Sequence, residues 1–154
     1  MSVAVDPTPF TYEDVAWRNE HKAESADGAF TARVAWASEL SMSGPTAGPL
    51  VVTTGHCIPR CSPHFAWATD APKLAALQWV LRFGLLRRQR VIVFDAASES
   101  FLVSRRLFRL LHITSFSSGE IEVVDSPFRA PVAHRLSLAA ESDFVARHYV
   151  VIGL

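Results

Sequence analysis

Two stretches carry side chains whose types and spacing could do chemistry. In His56-Cys-Ile-Pro-Arg-Cys-Ser-Pro-His64, two histidines and two cysteines fall within nine residues. Zinc takes such ligands in a tetrahedron, which makes Cys57, Cys61 and His64 candidates for it. The Cys-x3-Cys spacing is tighter than paired zinc knuckles, however, and neighbours along a chain tend to point apart. Reduced thiols in a hairpin loop are the simpler expectation. A Cys57–Cys61 disulfide is the other alternative, and a reducing compartment opposes it. A thiol nucleophile served by His56 or His64 would be unusual, because such dyads normally meet through the fold. The second stretch is Arg90-Val-Ile-Val-Phe-Asp95, an apolar run ending on a carboxylate. Val91 to Phe94 read as a strand buried on both faces, and Asp95 then sits where open α/β sheets keep their chemistry.

The elements that position these residues follow from periodicity. Phe30, Ala32, Val34 and Trp36 alternate with Thr31 and Arg33, which predicts a strand over 30–39. Leu50–Thr54 and His64–Thr69 read as two more strands, joined by the connection 55–63 with its two prolines. Asp70 suits a helix N-cap and Pro72 a first turn; Leu74, Leu77 and Leu81 recur at helical spacing, so a helix is expected over 70–81. Ser98 is expected to cap a second helix with Val103, Leu107 and Leu110 inward. Residues 115–119 read as a loop, 120–124 as a strand, 131–147 as a third helix and 148–154 as a strand or docked tail. Trp17, Trp36, Trp67 and Trp79 read as core side chains. His134 reads as a helix-surface histidine or a residual site residue.

The chain has 154 residues and 49% apolar composition, enough for one globular domain with a real core. No run reaches the roughly 18–20 apolar residues of a membrane span, and no signal-peptide pattern opens the chain. A cytoplasmic protein without membrane contact is the default expectation. Formal net charge is zero, yet residues 1–28 hold six acids against Arg18 and Lys22, while residues 82–109 hold seven arginines against Asp95 and Glu99. Ordinary solvated surfaces explain this, as would an anionic partner or an acidic arm (1–28) covering a basic face of the domain at 29–154. No phosphate loop, nucleophile elbow or dinucleotide fingerprint is present.

Three strands, helix, strand, helix, strand, helix is an order that resembles the ribonuclease H-like fold. The pieces that carry the resemblance are Ala71-Pro-Lys-Leu-Ala-Ala-Leu-Gln-Trp-Val-Leu81, Val91-Ile-Val-Phe-Asp-Ala-Ala-Ser98, Glu120–Val124 and His134-Arg-Leu-Ser-Leu-Ala-Ala140. The resemblance implies a mixed five-stranded α/β sheet, an antiparallel meander followed by parallel units and flanked by helices, with an extra C-terminal strand or tail. It also implies carboxylates holding two Mg²⁺ ions for phosphodiester cleavage. Asp95 matches the strand-end carboxylate and Glu39 falls near the first-strand acid. Lys73 takes the helix position, where its charge would repel a metal. The expectation is therefore a catalytically impaired, ribonuclease H-like pseudoenzyme, with no cofactor unless Mg²⁺ catalysis survives. It would bind nucleic acid or a protein partner through Arg87, Arg88, Arg90, Arg105, Arg106 and Arg109. The alternatives are a protein-assembly module, or an active Mg²⁺ nuclease using Asp95, Glu39 and a further acid such as Glu99 or Asp143.

Overall fold

The computed structural model describes residues 21–34, 37–39, 45–82, 86–127 and 130–148, and every regular element among them is a β-strand. In chain order these are β1 (His21–Glu24), β2 (Thr31–Val34), β3 (Ser38–Glu39), β4 (Thr46–Val52), β5 (Cys57–Trp67) and β6 (Lys73–Arg82). They continue as β7 (Leu86–Asp95), β8 (Ser100–Ser104), β9 (Leu111–Ser117), β10 (Glu120–Asp125), β11 (Val132–Ser137) and β12 (Phe144–Arg147). Eight strands form one sheet in the order β1-β2-β4-β5-β6-β7-β8-β12, with β3 pairing on β4; β11-β10-β9 form a second sheet. Every pairing is antiparallel.

This overturns the ribonuclease H-like resemblance and its α/β fold class: the described residues contain no helix and no parallel unit. The residues expected as the first helix are β6, paired with β7 from Lys73 opposite Asp95 to Arg82 opposite Leu86. All seven residues from Leu74 to Val80 are buried. A strand covered on both faces is apolar throughout, so it satisfies a helical spacing as readily as a strand one. The pairing then overrides the helix propensity of Leu and Ala.

The second expected helix fails at a turn. Asp95 Oδ1 accepts the amides of Ala97 at 3.0 Å and Ser98 at 3.3 Å, and Glu99 takes φ 55°. The chain reverses there, and β8 returns antiparallel with Ile92 opposite Val103. A side-chain-closed turn of this kind is a common role for aspartate. The third expected helix is β11 and β12, separated by a turn in which Asp143 Oδ2 accepts the Ser137 amide at 2.9 Å. Residues 115–119, expected as a loop, are largely the end of β9. The connection expected over 55–63 belongs mostly to β5, whose pairing with β6 slips between Cys61 and Phe65 and where Arg60 takes φ 54°. Such a bulge lets a strand bend sharply. A short helix that Thr11 would open as N-cap falls outside the described residues, as does the strand or tail expected over 148–154 apart from His148.

Two cores lie on opposite faces of the large sheet, and the β6–β7 hairpin feeds both. Leu74, Ala76, Ile92 and Phe94 join Val34, Leu50, Ile58 and Phe65 in the first. Ala75, Leu77, Val91 and Val93 meet Leu111, Ile113, Ile121 and Leu136 of the small sheet in the second. The large sheet curls over the first core. Trp67 Nε1 on β5 donates to Ala23 O on β1 at 3.0 Å, and the His21 ring lies 4.7 Å from Phe65.

Candidate functional site

The curl turns the far face of β1, β2 and β4 outward, and this face carries a groove of about 520 Å³. Sequence makes its first hairpin: Asp27-Gly28 is a turn dipeptide, with Gly28 at φ 75°. Asp27 Oδ1 accepts the Ser25 hydroxyl at 2.7 Å and the Ala29 amide at 3.0 Å. The Ala29 amide first, and then the Ser25 hydroxyl, hold the Asp27 carboxyl below its ordinary range. Pairing then sets one outward row across four strands: Lys22 faces Arg33, Arg33 faces Val51, and Val51 faces Cys57. Val51, 46% exposed, and Pro49 give the groove an apolar floor, and Thr31 and Thr53 add hydroxyls.

The ladder fixes how close the two cations stand. Thr31 sends its carbonyl to the Thr53 amide, so the backbone of Thr31, and of Arg33 two residues on, is turned toward β4. Ser25 and Phe30, at the hairpin end, form a bonded pair. Both observations make Lys22–Arg33 a non-hydrogen-bonded pair, the class with Cα atoms about 4.5 Å apart and side chains closest. Like charges facing each other there are destabilising. No carboxylate lines the groove among the described residues. Glu24 lies on the same face, with its Oε2 4.0 Å from where a Cβ on Gly28 would stand.

A second constellation joins the two sheets. The outward amides of β9 are taken by side chains of the large sheet: Leu111 N–H by Gln89 Oε1 at 2.6 Å, and Ile113 N–H by His64 Nε2 at 2.9 Å. Thr69 N–H bonds Phe116 O at 3.1 Å, and Ser118 N–H bonds Asp70 Oδ2 at 2.7 Å. The His64 ring stacks on His112 with centroids 4.5 Å apart. Burial first, then the charges of His112 and His21, lower the His64 pKa to about 3. Burial lowers that of His112 as well. A neutral imidazole accepting an amide is a structural joint.

The residues singled out from sequence are dispersed. Lys73 does stand beside Asp95, but as its cross-strand partner in a hairpin. Asp95 spends its Oδ1 on turn amides. Glu39 lies on β3 opposite Thr46. Glu99 Oε1 is 3.9 Å from His56 Nδ1, which also meets Thr54 Oγ1 at 2.8 Å. Both contacts fall on one nitrogen, so they tie the 53–56 and 96–99 turns together and do not form a base–nucleophile chain. Cys57 is exposed on the outward row, whereas Cys61 is buried in the first core and His64 is at the sheet joint. Both thiols are free, and burial raises the pKa of each. No group of three His, Cys, Asp or Glu among the described residues is placed to hold a metal.

The arginines do not make one face. Consecutive strand residues point to opposite sides, so Arg87 and Arg88 diverge. Arg90 is half-buried with Nε donating to Gln78 Oε1 at 2.8 Å, and Gln78 in turn donates to Pro59 O. Burial, then Arg147, lower the Arg90 pKa. Arg105 bonds Glu141 O, while Arg106 lies 5.2 Å over the Phe108 ring and 3.4 Å from His134 Nδ1. Arg109 is exposed on the β8–β9 connection. The nuclease-like pseudoenzyme with a nucleic-acid face is corrected with the fold that implied it: Asp95, Lys73 and Glu39 inherit no roles from a fold the chain does not have. Sequence reasoning missed both Lys22 and Arg33 as candidate site residues. The available signal was Asp27-Gly28 between two alternating runs, which a boundary at 28/29 cut through.

No family model matches the chain, and neither the curated proteins nor the solved structures compared with it include a match.

Proposed function

We propose that this chain is a recognition module that takes an anionic, partly apolar segment of a partner protein in the groove over β1, β2 and β4. The supporting observation is the Lys22–Arg33 pair, two cations in the closest cross-strand class with no carboxylate among the described lining residues. A bound carboxylate converts that repulsion into two attractions. The apolar floor of Pro49 and Val51 favours a peptide, which carries acid and hydrocarbon within one short segment, over a nucleic acid, which needs a longer cationic stripe.

The probe is the capped peptide TVEVTVT, titrated calorimetrically into the full chain, with TVQVTVT as the uncharged control. Binding of the acidic peptide that weakens with salt, and by roughly tenfold or more in Arg33→Glu, supports the reading. Equal binding of both peptides, or binding unchanged in Arg33→Glu, overturns it. Preferential capture of a single-stranded oligonucleotide, lost in the same variant, would replace the protein partner with a nucleic acid.

A further inference from the structure

We infer that the partner segment enters as an added strand on the outer edge of β1; this rests on the groove reading above. Among the described residues β1 is the terminal strand of the large sheet. The alternation that makes Lys22–Arg33 a non-hydrogen-bonded pair also decides which backbone groups face outward. Ala23 and His21 turn their N–H and C=O toward β2, so those of Lys22 and Glu24 turn to the edge. The edge is also held in shape. The Trp67 indole bonds Ala23 O from the core side, and Phe65 packs on His21, so a partner meets a preformed strand.

The side chains then set the sequence that fits. A partner residue opposite Lys22 forms a hydrogen-bonded pair with it and projects onto the same outward row as Lys22, Arg33 and Val51. An acid there sits directly beside Lys22 and, in the same row, two strands from Arg33, a gap of roughly 10 Å between Cα atoms that the long guanidinium side chain can close. Two residues along, the position opposite Glu24 takes a hydroxyl or a cation. The residue between faces the inner side with Ala23. For antiparallel addition the segment is therefore, from its N-terminal side, a hydroxyl or basic residue, a small apolar residue and an acid, in extended form. Charged side chains on a short edge strand discourage unselective pairing by apolar strands. Here the same charges select one pattern.

The test phases the backbone against the side chains. TVEVTVT is made with a methyl on the amide of its glutamate, or on that of the valine that follows, and both are titrated into the full chain. Amide exchange at Lys22 and Glu24 is followed by NMR. The inference expects glutamate-amide methylation to weaken binding roughly tenfold or more. It expects valine-amide methylation, at an N–H turned away, to change it little, and the Lys22 and Glu24 amides to become protected on binding. If both methylated peptides bind as well as the parent, strand addition is wrong and side-chain docking in the groove stands. Lys22 and Glu24 amides already protected in the free chain would mean the edge is filled by the chain itself, which also overturns the inference. Failure of the parent peptide to bind would remove the groove reading and this inference together.

Discussion

Lowering the pH should loosen the joint between the two sheets through His64. Its Nε2 accepts the Ile113 amide at 2.9 Å and its side chain is buried, with a folded-state pKa of about 3 against 6.5 for the free side chain. The folded state therefore keeps His64 neutral, while the unfolded chain takes up a proton below about pH 6.5. The stabilisation is complete above that value and is lost as pH falls from 6.5 toward 3, at about 1.4 kcal/mol per pH unit. Between pH 7.5 and 5.0 the loss from His64 comes to about 2 kcal/mol, and His112, lowered by the same burial, adds to it. The assay is urea unfolding of the full chain at both pH values. His64→Gln places an amide oxygen where Nε2 stands, keeps an acceptor for Ile113 and does not titrate. The variant should lose about 2 kcal/mol less than the parent over the same interval, since the other groups titrate alike in both. Identical pH dependence in parent and variant would refute the placement of a buried, neutral His64 at the joint.

Three further outcomes follow from the same geometry. Lys22→Glu should stabilise the chain by about 0.2–1 kcal/mol, by replacing a facing like-charge pair with an opposite one, and should abolish binding of the acidic peptide; destabilisation would contradict the assigned register. Asp95→Ala should cost about 1 kcal/mol in thermal or urea unfolding through loss of the turn bonds to Ala97 and Ser98, with no change in any Mg²⁺ response. Iodoacetamide should label Cys57 in the folded chain and Cys61 only on unfolding, read by mass spectrometry; fast labelling of Cys61 would contradict its burial.

What the residues settle on their own is where chain is buried, more than how it is paired. Val91–Phe94 reads as a strand covered on both faces, and it is one. The strands expected from alternation and β-branching over 30–39, 50–54, 64–69 and 120–124 overlap β2 and β3, β4, β5 and β10, with their ends displaced. Double-sided burial does not by itself mean a parallel sheet flanked by helices. An antiparallel hairpin reaches the same burial when its sheet curls on one side and a second sheet covers the other. Nothing local to Leu74–Val80 distinguishes a buried strand from a buried helix, because every position is apolar or covered.

The site divides in the same way. Residue type alone marks Lys22 and Arg33 as cations, and Asp27-Gly28 as a turn that would bring their strands together. That they face each other in the closer class of pair, above Val51 and Pro49, depends on register, and register depends on the whole ladder from Ser25 to Thr53. Asp95 shows the converse. Its sequence position invites a catalytic reading, and the tertiary structure gives its oxygen to the backbone of a turn. A carboxylate at the end of an apolar run has one local chemistry and two uses, and only the direction the chain takes next decides between them.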